Sequence, residues 1–430
     1  MGIALRRVTY SFFLLLFFIV TPLLILYASG FRYNFDIGMI EKTGAFYIKS
    51  YPRNAEIYIN DLKSKHKTPK QITNLAPGTY TLKITKNNYT PWQKKLSVYS
   101  GETTFVEDVV LFLENQEKTE LGSGSVEFLI NKNKDKYAYL DEQNRLFITD
   151  VNQDKNFLIF TLGQAYNLVD WSLDNQFLLI KKEELYYTFD LNQKEIQWLP
   201  LSAIEKIIWD NKESNIIWYT KDEKIFRYNT QIVNHQPQPI DFDSEKTIND
   251  FALFNDYLII QYTNNKNNYV EQLNKNNLSP VQTISDVNLG KLDVLMADER
   301  HLLFTIGSTL YIQNIYQEPV LIPITKADLH DNNLLLTNGY EIVLYNYKES
   351  QQQLIDRSSQ IVSDILWHPN GSYFISEVNE KTKITEVDGR DQRNSVELLD
   401  DPWKKMYLFN KKGDKLFILT PEENFYLTIQ

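Results

Sequence analysis

The sequence contains no cysteine among its 430 residues. This absence excludes disulfide bonds, thiolate metal sites, cysteine nucleophiles and a lipidated N-terminal cysteine. The folded parts of the chain must therefore be stabilised by packed cores. A chain of this length exceeds one ordinary core, so we expect two folded units.

Glycine is also scarce, with 15 residues, and the chain has neither a G-x-x-x-x-G-K-[ST] phosphate loop nor a Rossmann glycine pattern. The run Gly122-Ser123-Gly124-Ser125 superficially resembles a serine nucleophile motif. It is not G-x-S-x-G, and it neither follows a strand nor opens a helix. We interpret it as a hinge, and nucleotide chemistry is not indicated.

Histidine is rare as well, and none of the five has the i, i+4 partner with Glu that a zincin helix needs. The acidic turns 141–144 and 150–154 lack the D-x-D-x-D-G spacing of a calcium loop, so we interpret them as solvated turns. We expect no metal, no cofactor and no catalytic residue. The missing motifs predict a protein that is not an enzyme.

Positive charge is in deficit, since 45 Lys and Arg face 55 Asp and Glu, giving a net charge of −10. This balance opposes broad attraction to nucleic-acid phosphates. We expect no nucleic-acid partner.

Aromatic residues, by contrast, make up 13% of the chain. Together with Ile, Leu and Val they form short runs separated by Asn, Asp, Lys and Gly. Such side chains suit pleated, half-buried surfaces. The predicted fold class is mainly β, after one N-terminal helix.

That helix follows from residues 8–31, which carry no charge and lie between Arg7 and Arg32. A helix of this length spans ~36 Å, enough to cross a hydrocarbon layer of ~30 Å. We predict a transmembrane signal-anchor helix over residues 10–30, with the lipid bilayer as its partner. Pro22 predicts a kink and not a break.

Arg6 and Arg7 precede this span without any acidic residue, which favours an N-terminus inside the cell. Residues 1–9 are then cytoplasmic, and the bulk of this single-pass chain lies outside the cytoplasmic membrane. The alternative is a signal peptide cleaved after Gly30, because Ala28-Ser29-Gly30 has the spacing that signal peptidase reads. The apolar run is longer than an ordinary signal-peptide core, which favours the anchor.

After a connector at 31–43, residues 44–113 alternate as short strands do. We predict five strands that form a small sandwich. They cover 45–48, 55–59, 79–84, 93–98 and 104–113.

The turns of this segment resemble those of the PEGA domain, a small β module named for a Pro-Glu-Gly-Ala turn. Here that turn is Pro52-Arg53-Asn54-Ala55, where Asn replaces Gly at a position of positive φ. The other positions that carry the resemblance are Thr68 and Pro69, Pro77, Gly78 and Tyr80, and Tyr89. The resemblance implies a fold and a location in the cell envelope, with no chemistry of its own.

Three aromatic residues in this segment, Tyr80, Tyr89 and Trp92, are expected to fill its core. An alternative places Trp92 on the surface, where its ring stacks on a sugar. Trp92 is thus the candidate ligand contact.

Residues 114–123 form a polar linker, and residues 124–430 contain a repeat. Its successive first strands are 35 to 43 residues apart, close to the period of ~40–50 residues in propeller blades. The markers of these strands are Phe128, Trp171, Trp209, Phe251, Val294, Leu329, Leu366 and Tyr407.

Three turns that follow these strands, at 171–176, 367–372 and 409–414, resemble the Ser-Pro-Asp-Gly hairpin of TolB-like propeller repeats. We predict a β-propeller of the TolB or WD-repeat type with eight blades. The alternative is seven blades, if the unit at Leu329 is a long insertion. The last unit has three strands, so we expect residues 117–121 to add the missing outer strand.

The two β modules and the anchor predict a binding or scaffold protein of the cell envelope. Its partner would be a wall polymer, recognised as carbohydrate, or another envelope protein. An envelope hydrolase or lyase is the alternative, because catalytic groups from different blades can converge in the channel unseen in sequence. A structural spacer is the third possibility.

Overall fold

The computed structural model describes residues 3–34, 38–125, 127–163, 165–232, 237–242, 245–401 and 405–430. The chain divides into two compact units. The first comprises Met1–Gln116, Thr385–Val396 and Ile429–Gln430, and the second comprises Glu117–Ile384 and Glu397–Thr428. The sequence analysis had assigned 385–396 and 429–430 to the propeller, and the structure corrects this.

The first unit begins with helix α1, Ile3–Ala28, which runs through Pro22 without a break. It starts before the predicted segment 10–30. Its stretch Arg6–Ala28 has a mean hydropathy of 2.5 and is unburied, so this helix is long and apolar enough to cross a membrane. The predicted topology residues Arg6 and Arg7 lie on its first turns, where the Arg6 side chain donates a hydrogen bond to the Tyr10 hydroxyl over 2.9 Å.

Nine strands follow in the first unit. They are β1 Phe31–Asn34, β2 Met39–Lys42, β3 Gly44–Tyr51, β4 Glu56–Ile59, β5 Leu62–Lys67, β6 Lys70–Leu75, β7 Gly78–Thr85, β8 Trp92–Val98 and β9 Thr103–Val110. β1 and β2 pair as a hairpin, whereas the others form two sheets with the orders β6-β3-β9 and β5-β4-β7-β8. Within the first of these sheets β3 and β9 run parallel.

The two sheets share one hydrophobic core, because alternate residues of β3, β7 and β8 point to the same side. Phe46, Leu82 and Leu96 are buried there. β5 and β6 are additional to the five predicted strands. β5, with the sequence Leu-Lys-Ser-Lys-His-Lys, is an edge strand and largely exposed, so it lacks the apolar alternation that identifies a half-buried strand.

Two separate PEGA-like positions are bonded to each other. The Ala55 amide donates to the Thr68 hydroxyl over 3.0 Å, and the Thr68 amide donates to the Ala55 carbonyl over 3.0 Å. Asn54 has a φ of 64°, which confirms the expected positive φ at this turn. The peptide bonds before Pro52 and Pro69 are cis.

The remaining PEGA-like positions support β7 and its neighbours. Gly78 opens β7 after Pro77, and the Tyr80 hydroxyl donates to the Ala76 carbonyl over 2.7 Å. Tyr80 and Tyr89 pack against the core from its edge. Both are partly buried, as expected of core aromatics.

The second unit consists of strands in chain order. They are β10 Glu117–Ser123, β11 Glu127–Ile130, β12 Lys136–Leu140, β13 Arg145–Asp150, β14 Lys155–Thr161, β15 Asn167–Trp171, β16 Phe177–Lys182, β17 Leu185–Asp190, β18 Glu195–Trp198, β19 Lys206–Trp209, β20 Ile216–Lys221, β21 Lys224–Asn229, β22 Gln238–Pro239, β23 Thr247–Phe254, β24 Tyr257–Asn264, β25 Asn267–Asn274, β26 Pro280–Ser285, β27 Leu292–Ala297, β28 His301–Ile306, β29 Thr309–Asn314, β30 Val320–Pro323, β31 Lys326–His330, β32 Asn333–Thr337, β33 Glu341–Asn346, β34 Gln351–Arg357, β35 Val362–Trp367, β36 Tyr373–Val378, β37 Lys381–Glu386, β38 Ser395–Asp400, β39 Met406–Phe409, β40 Lys415–Leu419 and β41 Glu423–Thr428. β37 and β38 extend into the segment that groups with the first unit.

These strands form eight four-stranded sheets in the part of the chain that the structure describes. Seven are meanders of consecutive strands, called here the first sheet (β11–β14) to the seventh sheet (β35–β38). The eighth sheet has the order β10-β41-β40-β39, so its outer strand comes from the start of the unit. The predicted seam residues 117–121 lie in β10. Each predicted marker lies in the first strand of its sheet, and the unit at Leu329 is itself a sheet.

Neighbouring sheets pack face to face through apolar clusters. Trp171 of the second sheet lies in one cluster with Leu140 of the first. Phe417 of the eighth sheet is clustered with Tyr137 and Tyr139 of the first. The last sheet therefore packs against the first, and the sheets close into a ring.

An aspartate in the first strand joins some neighbouring sheets. The Asp170 carboxylate accepts a hydrogen bond from the Trp209 amide of the third sheet over 2.7 Å and one from the Trp171 amide over 2.8 Å. Asp250 and Asp328 accept the same pair of bonds from the following sheet and the following residue. Burial raises the pKa of the Asp170 carboxyl.

We expect Asp170→Ala to lower the free energy of unfolding by about 2 kcal/mol, because it leaves two amides without an acceptor. Urea denaturation followed by circular dichroism measures this loss. Asp293→Ala is the control, since Asp293 occupies the corresponding place in β27 but its side chain is 56% exposed. Equal losses in the two variants would contradict the assigned role of Asp170.

Candidate functional site

The largest pocket described in the second unit has a volume of about 520 Å³ and lies at one end of the ring. The first, sixth, seventh and eighth sheets contribute to it. Its walls are the first strands of the last three and the turns beside them. The lining residues are Asn133, Lys134, Asp135, Asn152, Asp328, Leu329, His330, Leu366, Trp367, Pro369, Leu408, Phe409, Asn410 and Lys411. We call this the mouth pocket.

The turn between β11 and β12 forms one side of the mouth pocket. The Asn131 side chain closes this turn by donating to Asp135 over 2.6 Å and by accepting from the Asp135 amide over 3.0 Å. Lys134, at a φ of 54°, then extends its ammonium group to the Asp328 carboxylate of the sixth sheet, 3.3 Å away. Lys132 reaches the Trp209 carbonyl of the third sheet over 3.0 Å. This turn thus connects sheets that are not its neighbours.

Asp328 holds the opposite side of the pocket. Its carboxylate accepts from the Trp367 amide over 2.9 Å and from the Leu329 amide over 3.1 Å, in addition to the Lys134 ammonium. The Trp367 indole donates to the Asp328 carbonyl over 3.2 Å. Asp328 is therefore fully engaged in structure, which leaves it poorly suited to general acid–base chemistry.

Aromatic rings line the floor of the mouth pocket. The ring centroids of His330 and Trp367 are 5.8 Å apart. Beneath Phe409 lies the buried His368 ring, 5.0 Å from it between centroids. His368 contacts the Asn370 side chain at 2.8 Å and the Gly413 carbonyl at 3.0 Å, and burial lowers the pKa of its imidazole.

The lowered pKa of His368 makes stability depend on pH. Below the ordinary pKa of about 6.5 the unfolded chain binds a proton that the folded chain resists, so stability falls as the pH falls. We expect the loss of thermal stability between pH 7.5 and pH 5 to be smaller in His368→Gln than in the original chain. A scan of unfolding temperature against pH for both proteins measures the difference, and parallel curves would exclude the effect.

Exposed lysine and amide side chains form the rim. The Lys411 amide donates to the Asn152 side chain over 2.9 Å, joining the eighth sheet to the first. A second cavity of about 390 Å³ adjoins this point and is lined by lysines and acids together. Lys415 in this cavity forms an ion pair with Asp154. The rim therefore offers hydrogen bonds to a ligand without a strong net charge.

The mouth pocket combines ring faces, amides and mixed charges. This combination suits binding through stacking and hydrogen bonds. Among the described residues, no group of three or more His, Asp or Glu side chains is arranged to hold a metal ion. Sequence reasoning did not identify this pocket, because its residues come from four different repeats.

The candidate ligand contact from sequence, Trp92, lies elsewhere. Only 2% of its surface is exposed and it packs in the core of the first unit, which corrects the alternative that its ring is free to stack on a sugar. Its indole donates to the Glu386 carboxylate over 3.1 Å.

Lys94, two residues further along β8, is a functional residue that the sequence reasoning missed. Its side chain is fully buried, and its ammonium group lies 3.2 Å from Glu386 and 3.6 Å from Asp388. Asn394 also donates to Glu386, over 2.9 Å. These residues form a buried ionic cluster, called here the Lys94 cluster, inside the first unit. The alternation of β8 places a lysine at a core position, which was the available signal.

Comparisons with known proteins agree with this architecture. Residues 43–110 match the family model of the PEGA domain. No curated protein is recognisably similar in sequence.

Among solved structures, a eukaryotic initiation factor is similar with 12% identity and a TM-score of 0.52, over 73% of this chain and 89% of the other. The C-terminal WD40 domain of Sif2 has 13% identity and a TM-score of 0.49, over 73% and 98%. BamB from Moraxella catarrhalis has 10% identity and a TM-score of 0.45, over 72% and 99%. At these identities a likeness concerns the fold alone. The chain therefore contains a region that matches the PEGA domain, together with a second unit that has a β-propeller fold.

Proposed function

We propose that this protein is a membrane-anchored binding or scaffold protein of the cell envelope and that its propeller recognises a partner at the mouth pocket. The observation that carries the proposal is the convergence of four sheets on one pocket lined by rings and amides. The partner is a wall polymer or another envelope protein. The protein has no catalytic role of its own.

The binding role is better supported than a hydrolase or lyase in the channel. The pocket contains two aspartates and one histidine, but Asp328 is already engaged by two amides and by Lys134. Asp135 is bonded to Asn131 within its own turn. Carboxylates used in this way hold the pocket in shape and leave its rings and amides for a ligand.

Helix α1 supports the anchoring part of the proposal. Its apolar side chains are exposed, which is stable only against lipid or another apolar surface. Arg6 and Arg7 at its start place the N-terminus inside and the two units outside. Because the chain has no cysteine, Glu184→Cys introduces a single thiol at a side chain that is 81% exposed. We expect a membrane-impermeant maleimide to label it in intact cells.

Binding at the mouth pocket is tested with the full chain in lipid nanodiscs against arrayed wall glycans and against purified envelope proteins. The double variant Lys134→Glu and Lys411→Glu changes the rim, whereas Lys155→Glu changes an exposed residue of β14 outside the pocket. We expect a ligand whose affinity falls at least tenfold in the rim variant and is unchanged in the control. Equal affinity in both variants, or no ligand in either class, would refute the proposal.

A further inference from the structure

The hairpin that follows helix α1 is amphipathic. In its register Tyr33 pairs with Ile40, and Arg32 pairs with Glu41. Directly paired residues point to the same face, and successive residues point to opposite faces. One face therefore carries Tyr33 and Ile40, and the other carries Arg32 and Glu41.

The polar face is turned toward the rest of the first unit. The Arg32 guanidinium donates to the Asn74 side chain at the end of β6 over 2.9 Å. Asn34 donates to the Glu41 carboxylate on the same face over 2.6 Å. The apolar face is exposed, with Tyr33 at 53% and Ile40 at 54%.

The base of the hairpin is fixed to the end of helix α1. The Arg32 guanidinium lies 3.7 Å above the Tyr27 ring and donates to the Tyr27 carbonyl over 2.7 Å. The amide and the hydroxyl of Thr43 both donate to the Gly30 carbonyl over 2.9 Å. The hairpin therefore starts where an inserted helix would leave the hydrocarbon.

We propose that the hairpin β1–β2 is a second membrane contact and that its Tyr33 and Ile40 face lies in the headgroup region of the bilayer that α1 crosses. Tyrosine favours this region because its ring is apolar and its hydroxyl is polar. The free edges of a two-stranded hairpin need hydrogen-bond partners, which headgroups and water supply but hydrocarbon does not. A two-stranded hairpin is marginally stable alone, so the lipid surface also stabilises it.

This inference rests on the proposed anchoring by α1, and the test separates the two. The cysteine-free chain allows single nitroxide labels at Tyr33→Cys, Ile40→Cys, Glu41→Cys, Leu15→Cys and Glu184→Cys. Each full chain is reconstituted in phosphatidylcholine and phosphatidylglycerol vesicles. Power saturation then compares collisions with oxygen, which is enriched in lipid, and with nickel–EDDA, which remains in water.

We expect the oxygen-to-nickel collision ratio to be highest at position 15, intermediate at 33 and 40, and several-fold lower at 41 and 184. A lipid-like value at 15 with water-like values at 33 and 40 would overturn the hairpin contact and leave the anchor intact. A water-like value at 15 would overturn both. Ile40→Asp, combined with the label at 33, provides a second test and should lower the ratio at 33.

Discussion

Lys94→Met is expected to destabilise the first unit by about 3–5 kcal/mol, the cost of removing one partner from a buried ion pair. Glu386 would remain buried, with Trp92 and Asn394 as donors but without its cation. Hydrogen exchange detected by mass spectrometry reports this change at the level of peptides. Faster exchange should appear together in β8 and in 385–396, because both bind the same cluster.

Lys95→Met is the matched control for this prediction. Lys95 is the next residue of β8, its side chain is exposed, and its backbone amide still donates to Asp391 in the variant. We expect the control to change exchange in neither segment. In the double variant Lys94→Met with Glu386→Gln, part of the loss should be recovered, because the unpaired buried charge is gone. A Lys94→Met protein that exchanges like the control would disprove the role of the cluster.

The local alternation of apolar residues was sufficient to predict most strands. All eight markers lie in first strands, since Trp171 and its counterparts are buried at a repeating position. The two missed strands, β5 and β6, are edge strands with little burial, so the sequence carries no apolar signal there. Strand prediction from pattern therefore depends on burial.

The aspartates that join sheets could have been found from sequence. Asp170, Asp250 and Asp328 each directly precede a marker residue, at the same place in three repeats. A charged residue beside a buried aromatic at a repeated position indicates a structural bond, since burial of a lone carboxylate is costly. Repetition of this residue type was the overlooked observation.

The mouth pocket and the Lys94 cluster could not have been predicted in this way. Lys134 and Asp328 are separated by 194 positions, and Lys94 and Glu386 by 292. No periodicity connects residues that distant. Their contacts depend on ring closure in the second unit and on the grouping of 385–396 with the first unit.

Strand β10 is expected to be essential to the second unit. It pairs along its length with β41, and Lys118 lies 4.2 Å from the Phe425 ring centroid and forms an ion pair with Glu423. The double substitution Lys118→Pro and Thr119→Pro removes at least one amide from this ladder, because successive amides of a strand point to opposite sides. We expect a loss of about 2–4 kcal/mol in the free energy of unfolding.

Loss of β10 would also expose the edge of β41, which invites pairing between molecules. Differential scanning calorimetry measures the stability, and light scattering during heating measures association. The control carries Asn115→Pro and Gln116→Pro, which lie just before the strand. Because the ring closes only through β10, the seam variant should unfold at lower temperature and aggregate at once, whereas the control should do neither. Matching transitions in the two proteins would mean that the eighth sheet is stable with three strands and that its packing on the first sheet suffices for closure.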